Sequence, residues 1–234
     1  SERPEWYFFE DVMGARIAGD GTLLDPTPIP LRLENNDPAN DNGRNPTVTS
    51  DGQNWLVVWE DQIWNSGIPY PNLAGRRVAT DGTMLDPNPV VLYQYNTYSF
   101  GPIAPHVVWA EDEYLLVWER SGYYTLHGRR IGADLIPLGA PFAITSNGYG
   151  PRVATNGTDY LVVSRSNLAH RVTHAGVSLD PAGVALQVPG GWDFRGPDVA
   201  WNGTHWVAVS PSIQYPNAFQ NRISDNKTSF ETLF

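Results

Sequence analysis

Short apolar runs recur along this chain, and each is followed by the same polar signals. The clearest run is Trp55–Trp59, which is followed by Arg77, by the turn Asp81-Gly82 and by Leu85-Asp86-Pro87. An apolar run without polar alternation indicates a strand that is covered on both faces. Asp-Gly favours a tight hairpin, because the turn needs positive φ angles. The pattern therefore predicts short, buried, antiparallel strands.

The same unit occurs five times, in repeats at about 1–34, 46–95, 105–145, 151–188 and 197–234. Each repeat resolves into four strands, which we name a to d. Strand a is a Pro-x-Val segment, b is the apolar run, c carries an arginine, and d follows the Leu-Asp-Pro corner. Four antiparallel strands in a repeat of this size are typical of a β-propeller blade. We predict a single all-β domain over 1–234, a five-bladed β-propeller of four-stranded antiparallel blades.

The two ends of the chain predict an incomplete blade. The first repeat begins at strand b, and the last stops at Phe234, where strand d is expected to start. The N- and C-terminal repeats would then meet at a thin seam. An unpaired sheet edge at such a seam invites another protein chain to pair with it.

The Val-Val-Trp, arginine and Asp-Gly signals resemble the β-propeller repeats of bacterial secreted and surface proteins. The resemblance covers nearly the whole chain and implies the propeller fold. It also favours an extracellular or cell-surface location, with a signal peptide already removed. Tachylectin-like lectins have the same number of blades, but their repeat sequence is not found here. Propellers carry unrelated activities, so the resemblance says little about function.

Composition narrows the classes of partner. The 234 residues include no cysteine, which excludes disulfides, thiolate metal sites and thiol catalysis. A formal net charge of −10 disfavours binding to nucleic acid and to anionic membranes. The oxygen-rich segment Asp37–Gly43 misses the spacing of a calcium loop by one position. We therefore predict no nucleic-acid or membrane partner, no cofactor and no metal.

Loop lengths vary only in the b–c and d–a connections, which share one face of a propeller. Variable loops on a repeated scaffold usually carry binding. These loops are rich in aromatic residues beside Asn, Asp and Arg, which suits stacking on sugar rings and hydrogen bonds to hydroxyls. The alternative is that the aromatic rings pack the loops together. The predicted glycan-binding residues are Tyr98, Tyr149, Trp192, Asp193, Arg195, Trp64, Tyr123 and Arg44.

The arginine of strand c occupies one position in every repeat, at Arg16, Arg77, Arg130, Arg171 and Arg222. A planar bidentate donor suits a partly buried carboxylate. Strand b often ends in a glutamate, at Glu10, Glu60 and Glu119. We predict that the arginines are structural and form one ion pair or backbone contact that is repeated in each blade.

Three functions stay open on these grounds. We favour a non-catalytic, lectin-like module that binds a glycan or surface polysaccharide, and hence not an enzyme. The first alternative is a structural or protein–protein assembly module of an extracellular or surface protein. The second is a glycosidase-like enzyme, which needs paired carboxylates about 5–9.5 Å apart near the central funnel. The innermost strands offer Thr47, His106 and Arg152, and a single acid, Asp198.

Overall fold

The computed structural model describes residues 11–32, 43–65, 68–95, 100–187, 196–210, 219–223 and 230–233. Of residues 63–65, 68, 69, 219–223 and 230–233 it describes the backbone alone. Throughout these ranges the chain forms strands and turns and no helix. The described residues accordingly contain no helix long and apolar enough to cross a membrane.

Eighteen strands lie within the described residues. In chain order they are β1 (Val12–Gly14), β2 (Ile29–Arg32), β3 (Arg44–Ser50), β4 (Asn54–Asn65), β5 (Ile68–Ala79), β6 (Val90–Gln94), β7 (Pro102–Ala110), β8 (Glu113–Arg120), β9 (Thr125–Gly132), β10 (Phe142–Thr145), β11 (Arg152–Thr155), β12 (Tyr160–Ser164), β13 (Leu168–Val172), β14 (Val184–Ala185), β15 (Asp198–Trp201), β16 (Trp206–Ser210), β17 (Phe219–Ile223) and β18 (Phe230–Leu233).

The strands form five sheets, one for each repeat. Four of them have four strands in sequence order, β3 to β6, β7 to β10, β11 to β14 and β15 to β18. The first contains β1 and β2 among the described residues. The pairing is antiparallel within each sheet. The leading strands β3, β7, β11 and β15 lie next to one another and form the inner side of the ring. The predicted all-β propeller of four-stranded antiparallel blades is confirmed.

The second strand of each blade lies in the core, as its apolar sequence predicts. Leu115, Leu116 and Val117 of β8 are completely buried, and β12 is buried along its whole length. The apolar side chains gather in four clusters, each between two neighbouring sheets. A blade is therefore covered on both faces because it packs between its two neighbours.

The prediction of an incomplete last repeat is wrong. Strand β18 pairs with β17 through Ile223 and Phe230, so the last sheet has its fourth strand. This strand already begins at Phe230, earlier than an alignment on the Leu-Asp-Pro corners suggested. At the other end, β1 and β2 correspond to strands c and d, and residues 1–10, which carry the predicted strand b, lie outside the described residues.

The arginines of strand c form ion pairs, but their partners differ from the predicted ones. Arg16, Arg77 and Arg171 pair with the aspartate of the corner that follows them, at Asp25, Asp86 and Asp180. In the third repeat the corner has glycine at the equivalent position, and Arg130 pairs with Glu113 instead, at 2.7 Å. Glu60 and Glu119, at the end of strand b, are therefore not the partners of these arginines. Arg222 lies in β17, where the structure describes the backbone alone.

Candidate active site at the centre of the propeller

A cavity of about 510 Å³ opens where the leading strands of three successive blades begin. Its wall combines the start of β3, β7 and β11 with the neighbouring part of β4 and β8. This is the side of the propeller to which the b–c and d–a connections also belong. The polar and charged side chains in the wall are Asn45, Thr47, Glu60, His106, Glu119, Arg152 and Arg165.

An unusual backbone conformation shapes this rim. Asn45, Ala104 and Gly150 each precede a proline and have φ angles of 48°, 51° and 56°. Residues other than glycine rarely adopt this left-handed conformation, so it needs support from its surroundings. For Ala104 and Gly150 the support comes from the blade before. The Ala104 N–H donates to Oε1 of Glu60 at 2.6 Å, and the Gly150 N–H donates to Oε2 of Glu119 at 2.9 Å.

Glu119 lies in the cavity wall, with 8% of its surface exposed. Burial raises the pKa of Glu119, and the negative charge of Glu60 adds to this rise. The hydrogen bond from Gly150 and the charge of Arg165 oppose it without cancelling it. Within the described residues Oε1 of Glu119 accepts no hydrogen bond. The side chain is therefore suited to carry a proton on Oε1.

Glu60 has a more polar environment than Glu119. Its Oε1 accepts a second hydrogen bond, from Nδ2 of Asn45, at 2.8 Å. N–H donors stabilise the ionised form of a carboxylate. The two glutamates occupy equivalent positions in successive blades but differ in burial and in hydrogen bonding. Such a difference allows one carboxyl group to be protonated while the other is charged.

The part of the wall that the fourth blade supplies is basic. In the fourth repeat Arg165 occupies the position of Glu60 and Glu119, two residues after the valine that pairs with the leading strand. Gly150 and Gly196 leave room for the Arg165 side chain: a Cβ atom at these positions would lie 2.6 Å and 3.5 Å from its Nε. The Nε atom is buried and has no hydrogen-bond partner in the described part of the chain. Arg152 lies close enough to Arg165 for the like charge to matter, and burial together with that charge lowers the pKa of Arg152.

His106 lies between the acidic and basic parts. Burial, with a contribution from Arg152, lowers its pKa to about 4, so the ring is neutral at physiological pH. The Val153 N–H points at Nδ1, 3.3 Å away. This contact assigns the ring proton to Nε2, which leaves His106 with one N–H donor.

The structure describes some of the residues that were predicted to bind a glycan. Tyr149 is half-buried, and Glu119 and Arg165 both act on its phenol group. Tyr123 is 50% exposed, with Arg120 over its ring at 4.1 Å, and it does not line the cavity. Arg44 begins β3 directly opposite Glu60. Tyr149 and Arg44 are therefore close to the cavity.

The other predicted residues are not covered in full. Trp64 lies in β4, but its side chain is outside the described part. Tyr98, Trp192, Asp193 and Arg195 lie outside the described residues. Their role in binding stays a prediction.

The sequence reasoning missed the two carboxylates of the cavity. It sought acids on strand a and assigned Glu60 and Glu119 to the arginines of strand c. The cavity in fact takes its acids from strand b, because Glu119 pairs with Ile103 at the start of the neighbouring strand. A usable signal was present in the sequence: the position of Glu60 and Glu119 is taken by Arg165 and Pro211 in the last two repeats, whereas the structural arginine persists.

A further cluster of possible metal ligands lies at the turn end of the blades. Ligand atoms of Glu111, Asp112 and His174 are within 4.8 Å of one another. The nearby His170 is buried separately, with Nδ1 at 2.8 Å from the Asp180 carbonyl oxygen. Both carboxylates of the cluster are exposed. Acidic side chains on a protein surface are often close together without binding a metal ion. We assign no function to it.

Comparison with solved structures identifies other propellers. A mutant sialidase from Trypanosoma rangeli with trans-sialidase activity has a TM-score of 0.50 at 9% identity, over 99% of this chain and 42% of that chain. A GH43 endo-arabinanase from Bacillus licheniformis has a TM-score of 0.51 at 13% identity, over 93% of this chain and 91% of the other. This chain thus spans less than half the length of the sialidase. No protein-family model and no curated protein matches the sequence.

The prediction of a non-catalytic, lectin-like module, and with it the prediction that the chain is not an enzyme, is contradicted. Two propellers that share its fold are a sialidase and an endo-arabinanase, and both names denote enzymes. That prediction relied on the lack of paired acids near the funnel, and the cavity contains Glu60 and Glu119. At such low identity the likeness establishes the fold, so any activity has to be argued from the residues themselves.

Proposed function

We propose that the chain is a glycoside hydrolase whose active site is the central cavity. The observation that carries the proposal is the pair Glu60 and Glu119, which line one cavity from successive blades. Glycosidases of the common type cleave with two carboxyl groups, one protonated and one ionised. Burial raises the pKa of Glu119, and Glu60 accepts two N–H hydrogen bonds that favour its ionised form, so the environments of the two side chains suit these roles.

The two glutamates take different roles in this reaction. Glu119, as general acid, donates its proton to the glycosidic oxygen while the bond to the sugar carbon breaks. Glu60, with its hydrogen bonds to Asn45 and Ala104, is the ionised carboxylate. It stabilises the positive charge that develops on the sugar, and either attacks the sugar carbon or takes a proton from the attacking water.

A glycan is then the substrate rather than a ligand that is only bound. The half-buried Tyr149 beside the cavity is placed to contact a sugar ring. An extracellular or cell-surface location, and a protein partner at the seam, stay predictions that the proposal does not need.

The experiment compares Glu119→Gln and Glu60→Gln with the parent protein on two kinds of substrate. One is a panel of p-nitrophenyl glycosides, whose leaving group departs without a proton, and the other is the corresponding oligosaccharides. We expect Glu60→Gln to lose about 10²-fold or more on both. Glu119→Gln should lose as much on oligosaccharides and far less on the p-nitrophenyl glycosides.

Glu111→Gln is the matched control, because it makes the same change at an exposed glutamate outside the cavity. It should keep the parent rate on both substrates. Folding of each variant is checked by circular dichroism. Parent-like hydrolysis of oligosaccharides by folded Glu119→Gln, or no hydrolysis of any glycoside by the parent, would refute the proposal.

A further inference from the structure

The arginines in the cavity wall lack the partners that other arginines of this fold have. Arg16, Arg77, Arg130 and Arg171 each pair with a carboxylate. In the described part of the chain neither Arg152 nor Arg165 has a carboxylate within ion-pair distance. Arg152 donates one hydrogen bond, from Nη1 to the Pro151 carbonyl oxygen at 2.9 Å. Both guanidinium groups therefore keep donors for another molecule.

This arrangement is costly for the protein alone. Like charges repel, and burial removes the water that would solvate them. Both effects are visible at Arg152, whose pKa is lowered by burial first and by Arg165 second. An anion between the two side chains would relieve both. Among the described residues the charge of Asp198 opposes both effects at Arg152 without cancelling them, and Asp198 forms no ion pair with either arginine.

The charge of the cavity also favours an anion once the glycosidase roles are assigned. With Glu119 protonated and His106 neutral, the cavity side chains carry one negative charge, on Glu60, and two positive charges, on Arg152 and Arg165. The acids come from the second and third blades and the arginines from the fourth. A substrate that is negative at one end and reacts at the other would match this division.

We infer that the substrate contains an acidic sugar whose carboxylate is bound by Arg152 and Arg165, with the glycosidic bond directed towards Glu60 and Glu119. The inference rests on the proposed function for the reaction, but anion binding by the arginines can be tested without it. A guanidinium group and a carboxylate are both planar and form two parallel hydrogen bonds. The tetrahedral oxygens of a sulfate ester match this plane less well, so we assign the carboxylate.

The first experiment needs no variant. Calorimetry with the parent protein compares D-galacturonic acid and D-glucuronic acid with their methyl esters, with galactose and glucose, and with glucose 6-sulfate. We expect at least one of the two acids to bind about tenfold or more tightly than its own ester and the neutral sugars. The preference should weaken with added salt. Equal affinity for acid and ester would overturn the inference, and tighter binding of glucose 6-sulfate would overturn the assignment to a carboxylate.

The second experiment locates the site with Arg152→Gln and Arg165→Gln. Each should reduce the affinity for the acid about tenfold and leave that for the neutral sugar unchanged. Arg76→Gln is the matched control, since its side chain binds carbonyl oxygens on the outer part of the second blade. It should bind the acid as the parent does. Folded arginine variants that keep the acid preference would overturn the inference.

Hydrolysis separates this inference from the proposed function. Cleavage of p-nitrophenyl glucosides with no preference for glucuronides would refute the acidic substrate and leave the glycosidase standing. Binding of acids through the arginines without cleavage of any glycoside would support the anion site and refute the glycosidase.

Discussion

Arg77 and Asp86 form a bidentate ion pair across the turn between strands c and d, with Nη2 and Oδ1 2.7 Å apart. The backbone N–H of Arg77 donates to the same carboxylate at 2.8 Å. Nη1 of Arg77 reaches the Ala133 carbonyl oxygen of the next blade, also at 2.8 Å. Burial opposes the charge on Asp86, but the hydrogen bonds from Arg77 outweigh it and hold the pKa of Asp86 below its usual value. One side chain thus joins a strand, its corner and the neighbouring blade.

We predict that Arg77→Ala lowers the free energy of unfolding by about 2–3 kcal/mol, because it leaves the Asp86 carboxylate buried and unpaired. Urea unfolding measures the change. The double variant with Asp86→Asn removes the charge as well and should regain part of the loss. A single variant as stable as the parent, or a double variant no better than the single one, would argue against the structural role.

The buried second strand can be tested with two neighbouring valines. Val57 and Val48 pair across β4 and β3, but Val57 is 9% exposed and Val48 is 60% exposed. Val57→Asp places a charge in the core and should cost at least about 3 kcal/mol, enough to leave much of the protein unfolded. Val48→Asp makes the same change at an exposed site and should shift the melting temperature little. Equal effects of the two would contradict the burial of this strand.

Glu119→Gln should change stability in a way that depends on pH. Burial raises the pKa of Glu119 in the folded state, so the parent loses stability as the pH rises from the unfolded-state pKa through the folded-state pKa. The glutamine variant does not titrate and escapes this loss. Above the folded-state pKa, the free energy of unfolding of the variant should gain on that of the parent by about 1.4 kcal/mol for each unit by which the folded-state pKa of Glu119 exceeds its unfolded-state pKa. Urea unfolding from pH 4 to pH 8 measures it, and an advantage that shrinks as the pH rises would be the wrong sign.

His106 should make the protein sensitive to acid. Its pKa is about 4 in the folded state and 6.5 in the reference state, so between these values the unfolded chain binds a proton that the folded chain does not. Stability should fall by about 2–3 kcal/mol as the pH drops from 6.5 to 4. His106→Asn keeps an acceptor for the Val153 N–H and should remove this part of the pH dependence. Parallel stability curves for variant and parent would show that His106 is not the cause.

Much of the fold could be predicted because a blade is a local structure. Strand b can be recognised from an apolar run such as Tyr160–Val163, and the turns can be recognised from Asp-Gly or Asn-Gly pairs. The partners of the arginines were harder to assign. Arg171 and Asp180 are only nine positions apart, yet recurrence alone does not distinguish a corner aspartate from a glutamate at the end of strand b. The choice depends on which side of the strand each residue occupies.

The candidate site could not be predicted because it forms between blades. Glu60 meets the Ala104 N–H 44 positions later, and Glu119 meets Gly150 31 positions later. No local pattern encodes these distances, since the intervening loops differ in length. Arg165 was missed for a different reason: it replaces the glutamate at the position of Glu60 and Glu119, and a search for recurring residues passes over the repeat in which the residue type changes.

The contacts made by Glu60 and Glu119 run in one direction along the chain. In each case the carboxylate belongs to the earlier blade and the N–H group to the later one. During synthesis the acceptor leaves the ribosome first, so the incoming strand meets a partner that is already there. A circular permutant that is opened between Glu119 and Gly150, and whose original ends are joined, would keep this contact. In it the N–H group of Gly150 would be synthesised before the carboxylate of Glu119. The route to the folded ring, rather than the ring itself, would then differ.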